Sequence, residues 1–219
     1  MLNSNIMYQP VYNNSFIQFD PSGIHGEIMN AIHTLLEDML NQRSKIFYLR
    51  FDLHFPAEIQ YPPDNTIIES FMSHFMKSLY RQNIHSLYIW VREQKMSINH
   101  HYHVCLFLDG QKVQHKENIL KLAQSLWTSK LNLPADDNNG LVHYCDKNTD
   151  GSYIDNGIKV NRNSPDFIYN RNRVIFSASY LAKTYSKNFV NPGVRQFSCS
   201  RRSQQHFTID SSMPISVSQ

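Results

Sequence analysis

The segment from Ile46 to Phe55 constrains the fold most, because apolar and polar residues alternate along it from Phe47 onward. Successive side chains of a β-strand point to opposite faces of a sheet, so this pattern predicts a strand with one apolar face. The apolar face carries Phe47, Leu49, Phe51, Leu53 and Phe55, and the other carries Tyr48, Arg50, Asp52 and His54. We expect the first face to pack on helices and the second to be open to a ligand or to water.

The remaining segments supply helices and partner strands for this strand. Apolar residues at helical spacing predict helices beginning near Pro21, after Asn65 and near Lys116. Further strands are predicted at residues 87–93, 101–108 and 141–145, and the short polar link between the first two suits an antiparallel hairpin. The order β-α-β-β-α-β predicts an α+β fold: an antiparallel sheet in the split βαβ, ferredoxin-like arrangement, with helices on one face.

The composition and the positions of loop-like segments predict the domain organisation. The 219 residues are 41% apolar and 12% aromatic, which is enough for a real core. We divide the chain into an N-terminal extension and helix (1–43), one domain (44–205) and a C-terminal tail (206–219). Residues 146–170 have a loop-like composition, and order returns at residues 174–187, whose second half we expect to be helical.

The chain carries neither a secretory signal nor an apolar run long enough to cross a bilayer. Its three cysteines are far apart, with no Cys-x-x-Cys spacing. That usage favours a reducing, cytoplasmic location and argues against a thiolate zinc site.

His101 and His103 form the first candidate site. They lie two residues apart in an apolar run, so on a strand both point to the same face and can bind one ion. Glu93 ends the preceding strand and is the expected third ligand, while Asp52 and His54 compete for that position because the register is unknown. Two imidazoles and a carboxylate suit a divalent ion such as Mn²⁺, whereas Mg²⁺ prefers more oxygen. His100 has the opposite parity and is left out.

Tyr180 and Lys183 form the second candidate site. In a helix they share one face, and a nearby cation favours the phenolate form of a tyrosine, which is a competent oxygen nucleophile. Tyr185 is an alternative nucleophile, but its nearest lysine, Lys187, is two residues away and fits helical spacing less well.

Charge is distributed unevenly along the chain. The net charge is only +3, but residues 167–209 contain seven basic residues and neither Asp nor Glu. A one-signed segment of this kind suits a polyanion such as nucleic acid.

Together these motifs resemble the HUH superfamily of single-strand DNA nicking enzymes, and more narrowly the inovirus-type replication initiators and the related YagK/YfjJ proteins. The resemblance rests on TyrIleTrpValArgGluGln at 88–94, HisTyrHisValCysLeuPheLeu at 101–108, SerTyrLeuAlaLysThr at 179–184 and PheSerCysSerArg at 197–201. It covers about residues 44–203.

The resemblance implies a DNA nicking and joining enzyme that starts rolling-circle replication of a phage or plasmid. His101, His103 and Glu93 would hold Mn²⁺ or Mg²⁺, Tyr180 would form a 5′-phosphotyrosine, and Lys183 would position the phosphate. An open sheet face and basic side chains would bind single-stranded or hairpin origin DNA; these side chains are Arg50, Arg171, Arg173, Lys187, Arg195, Arg201 and Arg202.

Because the chain has no Gly-x-x-x-x-Gly-Lys run, a host helicase as well as a polymerase would be partners. Three other readings stay open: a DNA-binding regulator or prophage remnant that does not cut, a metal-dependent hydrolase of small substrates, and a structural domain. Tyr48, Trp90 and Tyr102 are assigned to the core.

Overall fold

The computed structural model describes residues 5–94, 97–134, 140–147, 150–185 and 193–201. The first half contains β1 (Ile6–Met7), β2 (Val11–Tyr12), β3 (Ser15–Phe16), β4 (Ile24–His25), α1 (Gly26–Gln42), β5 (Lys45–Leu53), α2 (Thr66–Arg81) and β6 (Ser86–Glu93). The second half contains β7 (His101–Asp109), α3 (Glu117–Lys130), β8 (Val142–His143), β9 (Ile158–Asn161), α4 (Phe167–Ala178), a 3₁₀ turn (Ser179–Ala182) and β10 (Phe197–Cys199).

A six-stranded antiparallel sheet organises the molecule. Its strand order is β10-β6-β7-β5-β8, and β9 pairs with the other end of β5. The predicted antiparallel hairpin is present, because β6 pairs with β7 and places Glu93 opposite His101. The α+β class with an antiparallel sheet is therefore confirmed.

Helices cover both faces of this sheet, so the expectation of helices on one face and an open second face is wrong. On the first face, α2 and α3 pack against the alternating apolar residues of β5 such as Phe51. On the second face, α1 and α4 pack against Tyr48 and Phe107. The neighbouring strands contribute apolar residues to this second face, and leaving them in water would cost about 25 cal/mol per Å². Tyr48, Trp90 and Tyr102 are buried, which confirms their assignment to the core.

The N-terminal residues contribute to the second layer. β1 pairs with β4, β2 pairs with β3, and the buried Ile17 and Ile24 pack in the same cluster as α1. The first helix begins at Gly26, immediately after β4. Residues 5–25 therefore lie against the same core as the sheet.

The region after β8 differs most from the expectation. The predicted strand at 141–145 shortens to β8, and the segment that we assigned to a loop contains β9 and the beginning of α4. The helix ends at Ala178 and continues only as a 3₁₀ turn, so the expected helix through Lys187 is wrong over its described part. Strands of two to four residues, such as β8, β9 and β10, have too few positions to show a period.

Candidate metal centre and nucleophile

Three neighbouring strands bring polar side chains to one end of the second face. The register pairs Glu93 with His101, and it pairs Asp52 with His103. Directly paired residues of antiparallel strands point to the same side, so these four side chains converge. The sequence left the register open, and the structure resolves it in favour of Glu93 beside the histidines.

His103 lies between two carboxylates. Its Nδ1 is 2.7 Å from Asp52 Oδ1, and its Nε2 is 2.7 Å from Glu93 Oε2. All three residues are buried. On the far side of Asp52, Arg50 Nη2 lies 3.4 Å from Oδ2. Burial acts to raise the pKa of the Asp52 carboxyl, but His103 and then Arg50 outweigh it and hold this pKa well below its ordinary value.

A divalent metal fits the group formed by Glu93, His101 and His103. Their donor atoms all lie within 4.8 Å of one another. Burial, reinforced by His103, lowers the pKa of His101 to about 4, so this ring is neutral at pH 7, as a metal ligand must be. Glu93, His101 and His103 would hold such a cation, and the hydrogen bond between His103 Nδ1 and Asp52 would then orient the ring, as outer carboxylates commonly do for metal-binding histidines.

Two residues had competed with Glu93 for the position of third ligand. One of them, Asp52, lies at Nδ1 of His103, on the side of the ring away from Glu93. His54 stacks on His101, with 5.1 Å between ring centroids. His100 points to the other face, where its Nε2 lies 2.8 Å from the Tyr102 hydroxyl.

The ring of Tyr180 lies directly beside this group. It meets the ring of His103 edge to face, with centroids 5.1 Å apart, and the Arg50 guanidinium lies over it with Cζ 3.8 Å from the centroid. Lys183 Nζ is 4.9 Å from the same centroid, because residues three apart are eclipsed in a 3₁₀ turn. The structure therefore brings Tyr180, Lys183 and the histidine pair together.

The expected phenolate is not present in this environment. Burial raises the pKa of Tyr180 above its ordinary value, and this effect outweighs the opposing effect of Arg50. The neighbouring cation that the sequence suggested, Lys183, is not among the main influences on this pKa, whereas Arg50 is. The tyrosine is a protonated phenol, and it needs help to become a nucleophile.

The N-terminal segment holds the Tyr180 turn in place. The backbone N–H of Gln18 donates to Ser179 Oγ over 2.8 Å, and the Thr184 hydroxyl donates to the Ser22 carbonyl over 2.6 Å. Gly23 has φ of +97°, and a Cβ there would lie 2.3 Å from a methyl group of Ile6. Sequence reasoning missed this support, since the pattern of residues 1–25 gives no sign that they contact a turn more than 150 residues away.

A cavity gives access to the histidines. It has a volume of about 360 Å³ and is lined in part by His54, Phe55, Asn99 and His101. His101 is the one member of the candidate metal group that is partly exposed, whereas His103 and Glu93 are 2% exposed. A phosphate can therefore approach from the side of His101.

The predicted DNA-binding side chains do not form one surface. Arg50 is buried in the site. On α4, Arg171 pairs with Glu37 over 2.7 Å and Arg173 pairs with Asp155. These pairs neutralise two of the charges that the acid-free stretch of sequence had suggested were available to DNA.

Arg195 and Arg201 lie on the opposite layer, at a cavity of about 510 Å³ beside α2 that is also lined by the half-buried Tyr88 and the buried Trp90. Lys187 and Arg202 lie outside the described residues, as does the C-terminal tail at 206–219. Tyr185 is described and is 40% exposed.

The fold and the buried histidine–carboxylate group, with a tyrosine beside it, lead to a family assignment. The family model for the YagK/YfjJ C-terminal domain matches residues 9–200, so the chain belongs to that family. This match begins well before residue 44, where we expected the resemblance to start.

Two relatives come from Escherichia coli strain K12. The chain is 27% identical over 211 residues to "Uncharacterized protein YagK", covering 82% of this chain and 96% of that protein. It is 26% identical over 201 residues to "Uncharacterized protein YfjJ", covering 78% and 92%. No solved structure matches the chain significantly. Among the described helices, none combines the length and the apolar character needed to cross a membrane.

Proposed function

We propose that this protein nicks and rejoins single-stranded DNA through Tyr180 and so initiates rolling-circle replication. One observation carries the proposal: the Tyr180 ring meets the ring of His103, whose Nε2 faces Glu93 in a group that can hold a divalent cation. A tyrosine that only packs in the core would not require a metal-binding group beside it.

The strand connectivity supports the same conclusion. The strands β6, β7, β5 and β8 are adjacent in that order, with α2 joining β5 to β6 and α3 joining β7 to β8. We take this order as support for the split βαβ, ferredoxin-like arrangement that the resemblance to HUH enzymes implies. The histidines lie on a central strand of that sheet, where their positions are rigid.

The chain's own residues would perform the following chemistry. Tyr180 Oη attacks the scissile phosphorus and loses its proton, the bond from phosphorus to the 3′-oxygen breaks, and that oxygen leaves as a protonated 3′-hydroxyl. The product is a 5′-phosphotyrosine with a free 3′-end that can prime synthesis. A bound Mn²⁺ or Mg²⁺ would polarise the phosphate. Attack by the 3′-hydroxyl on the phosphotyrosine reverses the reaction and rejoins the strand.

The positions of the surrounding groups suit these steps. Arg50 lies over the Tyr180 ring and favours negative charge on its oxygen, which compensates for part of the effect of burial. Asp52 orients His103 through Nδ1. Lys183 lies close enough to the ring to pair with a phosphate that Oη attacks.

The test is formation of a covalent adduct. The protein is incubated with Mn²⁺ and a pool of random single-stranded oligonucleotides labelled at the 3′-end, because the 3′-fragment is the one that a 5′-phosphotyrosine retains. The wild-type protein and Tyr185→Phe should form a labelled adduct that survives denaturing electrophoresis, whereas Tyr180→Phe should form none. An adduct that persists in Tyr180→Phe would show that Tyr180 is not the nucleophile.

A second candidate function is DNA binding without cleavage. It is favoured by the raised pKa of Tyr180 and by the separate cavity lined by Tyr88, Arg195 and Arg201, since aromatic and basic groups together suit single-stranded DNA. In the same experiment this function predicts a native gel shift with no covalent adduct under any metal condition.

A further inference from the structure

A second group of metal-ligating side chains lies beside the candidate catalytic centre. The donor atoms of Asp52, His143 and Cys145 all lie within 4.8 Å of one another. His143 Nδ1 is 3.8 Å from Asp52 Oδ2 and 3.6 Å from Cys145 Sγ. This group is formed by β5 and the chain at β8.

The 3.6 Å separation of His143 Nδ1 and Cys145 Sγ is that of two ligands on one zinc ion. Zinc binds nitrogen and oxygen at about 2.0–2.2 Å and sulfur at about 2.3 Å in tetrahedral geometry, which places neighbouring ligand atoms about 3.3–3.6 Å apart. At 3.8 Å, His143 and Asp52 are farther apart than a hydrogen bond allows, but they need to approach by only a few tenths of an ångström to share one ion.

The backbone around the three donors is held by hydrogen bonds. β5 pairs with β8 so that Asp52 lies opposite His143. Two residues before Asp52, the Asn156 side chain accepts a hydrogen bond from the backbone N–H of Arg50. It also donates hydrogen bonds to the carbonyl groups of Arg50 and Tyr144. This link fixes the chain next to Cys145, so little conformational entropy remains to be lost on binding.

The cysteine spacing argued against a thiolate zinc site, but tertiary contacts supply nitrogen and oxygen partners for a single cysteine, and we propose that Asp52, His143 and Cys145 form a zinc site with its fourth position open to solvent on the side of His143. The His143 side chain is 52% exposed, which provides the path of entry. Asp52 binds through Oδ2 and keeps Oδ1 on His103, so one carboxylate links the two sites. Arg50 Nη2 also contacts Oδ2, at 3.4 Å, and an ionised oxygen has lone pairs for both partners.

The donor set also determines which ion binds. A thiolate selects zinc or cobalt over manganese and magnesium, whereas two imidazoles and a carboxylate in the neighbouring site suit manganese. Binding replaces the thiol proton of Cys145, and the carboxylate and thiolate together balance the two positive charges of the ion. The proposal does not rest on DNA nicking, although the two sites share the Asp52 carboxylate.

Cobalt titration of the full chain tests the proposal, because a cobalt–thiolate bond has an intense charge-transfer band in the near ultraviolet. The wild-type protein should develop this band at one equivalent, and Zn²⁺ but not Mn²⁺ should remove it. Cys145→Ser should lack the band. Cys199→Ser, a matched control on β10, and Glu93→Gln, which removes a ligand of the other site, should keep it.

Stability and specificity controls complete the experiment. Circular dichroism should be used to check whether Cys145→Ser is folded. If it is unfolded, His143→Gln becomes the deciding variant, because the His143 side chain is half exposed. His143→Gln removes a direct ligand, so it should weaken cobalt binding more than roughly tenfold, which is the effect of losing a residue that only contacts a ligand. A folded wild-type protein without the band, or a band removed by Cys199→Ser, would overturn the proposal. Tyr180→Phe should retain the band even though it abolishes the DNA adduct.

Discussion

Asp52→Asn is the substitution whose effect the structure defines best. Asp52 is 6% exposed and has as a charge partner, at 3.4 Å, the largely buried Arg50, whose side chain is 13% exposed. Removing one partner of a buried ion pair costs about 3–5 kcal/mol, because the other charge is left buried without compensation. Asn keeps a hydrogen bond to His103 and the Arg50 pair is long, so we expect a loss near 3 kcal/mol.

Asp109→Asn is the matched control. Asp109 lies on the neighbouring strand β7 and pairs with Arg43 at 2.9 Å, but 39% of the Arg43 side chain is exposed. Exposed pairs contribute at most about 1 kcal/mol. Urea unfolding at pH 7 should therefore separate the two variants by about 2 kcal/mol. Equal losses would refute the claim that Asp52 compensates a buried charge.

The pH dependence provides an independent check. The folded pKa of Asp52 lies well below that of the unfolded chain, which is about 3.9. Its contribution to stability is therefore fully present above about pH 4 and disappears as the pH falls through the folded value. The difference in unfolding free energy between the wild-type protein and Asp52→Asn should stay constant from pH 7 to about pH 5 and shrink below pH 4. A difference that grows on acidification would contradict the assigned direction.

Three other predictions test the fold and the support of the site. Gly23→Ala forces an L-residue into positive φ and a clash, so we expect a loss of at least about 1–2 kcal/mol and a lower adduct yield; an unchanged melting temperature would contradict it. Phe75→Ala, in the core, should cost about 3–5 kcal/mol in urea unfolding, whereas Tyr80→Ala on the exposed face of the same helix should change stability by less than about 0.5 kcal/mol. A thiol reagent should label Cys199 first in the native protein, because the other two cysteines are buried; peptide mapping that finds either of them labelled first would contradict this.

The long elements of the fold follow from local pattern. The strands β5, β6 and β7 lie within two residues of their predicted bounds, and the helices α2 and α3 begin within two residues of their predicted starts. Each of them is long enough to show a period of 2 or 3.6 residues, and each has one face that must be buried. His101 and His103 share a face for the same reason, since strand parity is a property of the chain alone.

The candidate site could be predicted only in part. Strand parity placed His101 and His103 on one side, but the choice of third ligand among Glu93, Asp52 and His54 needed the register. Arg50 was assigned to DNA contact, yet its guanidinium lies over the ring of Tyr180, the proposed nucleophile. The sequence pattern could not show this, because Arg50 and Tyr180 are brought together only when the 3₁₀ turn packs on the sheet.

Charge patterns were the least reliable guide. The acid-free stretch beyond residue 166 suggested a basic surface, but Glu37 and Asp155, from distant parts of the chain, pair with two of its arginines. The open sheet face was likewise an inference from one strand, and apolar residues of neighbouring strands required helices to cover it.

The chain's own periodicity thus specifies which segments are helices and strands and which side chains share a face, because those depend on the geometry of adjacent residues. Strand register, the second helical layer and the contact between Tyr180 and His103 depend on residues far apart in sequence. Packing and burial settle these features, since they decide which distant surfaces can leave water together and which charges remain paired when they do.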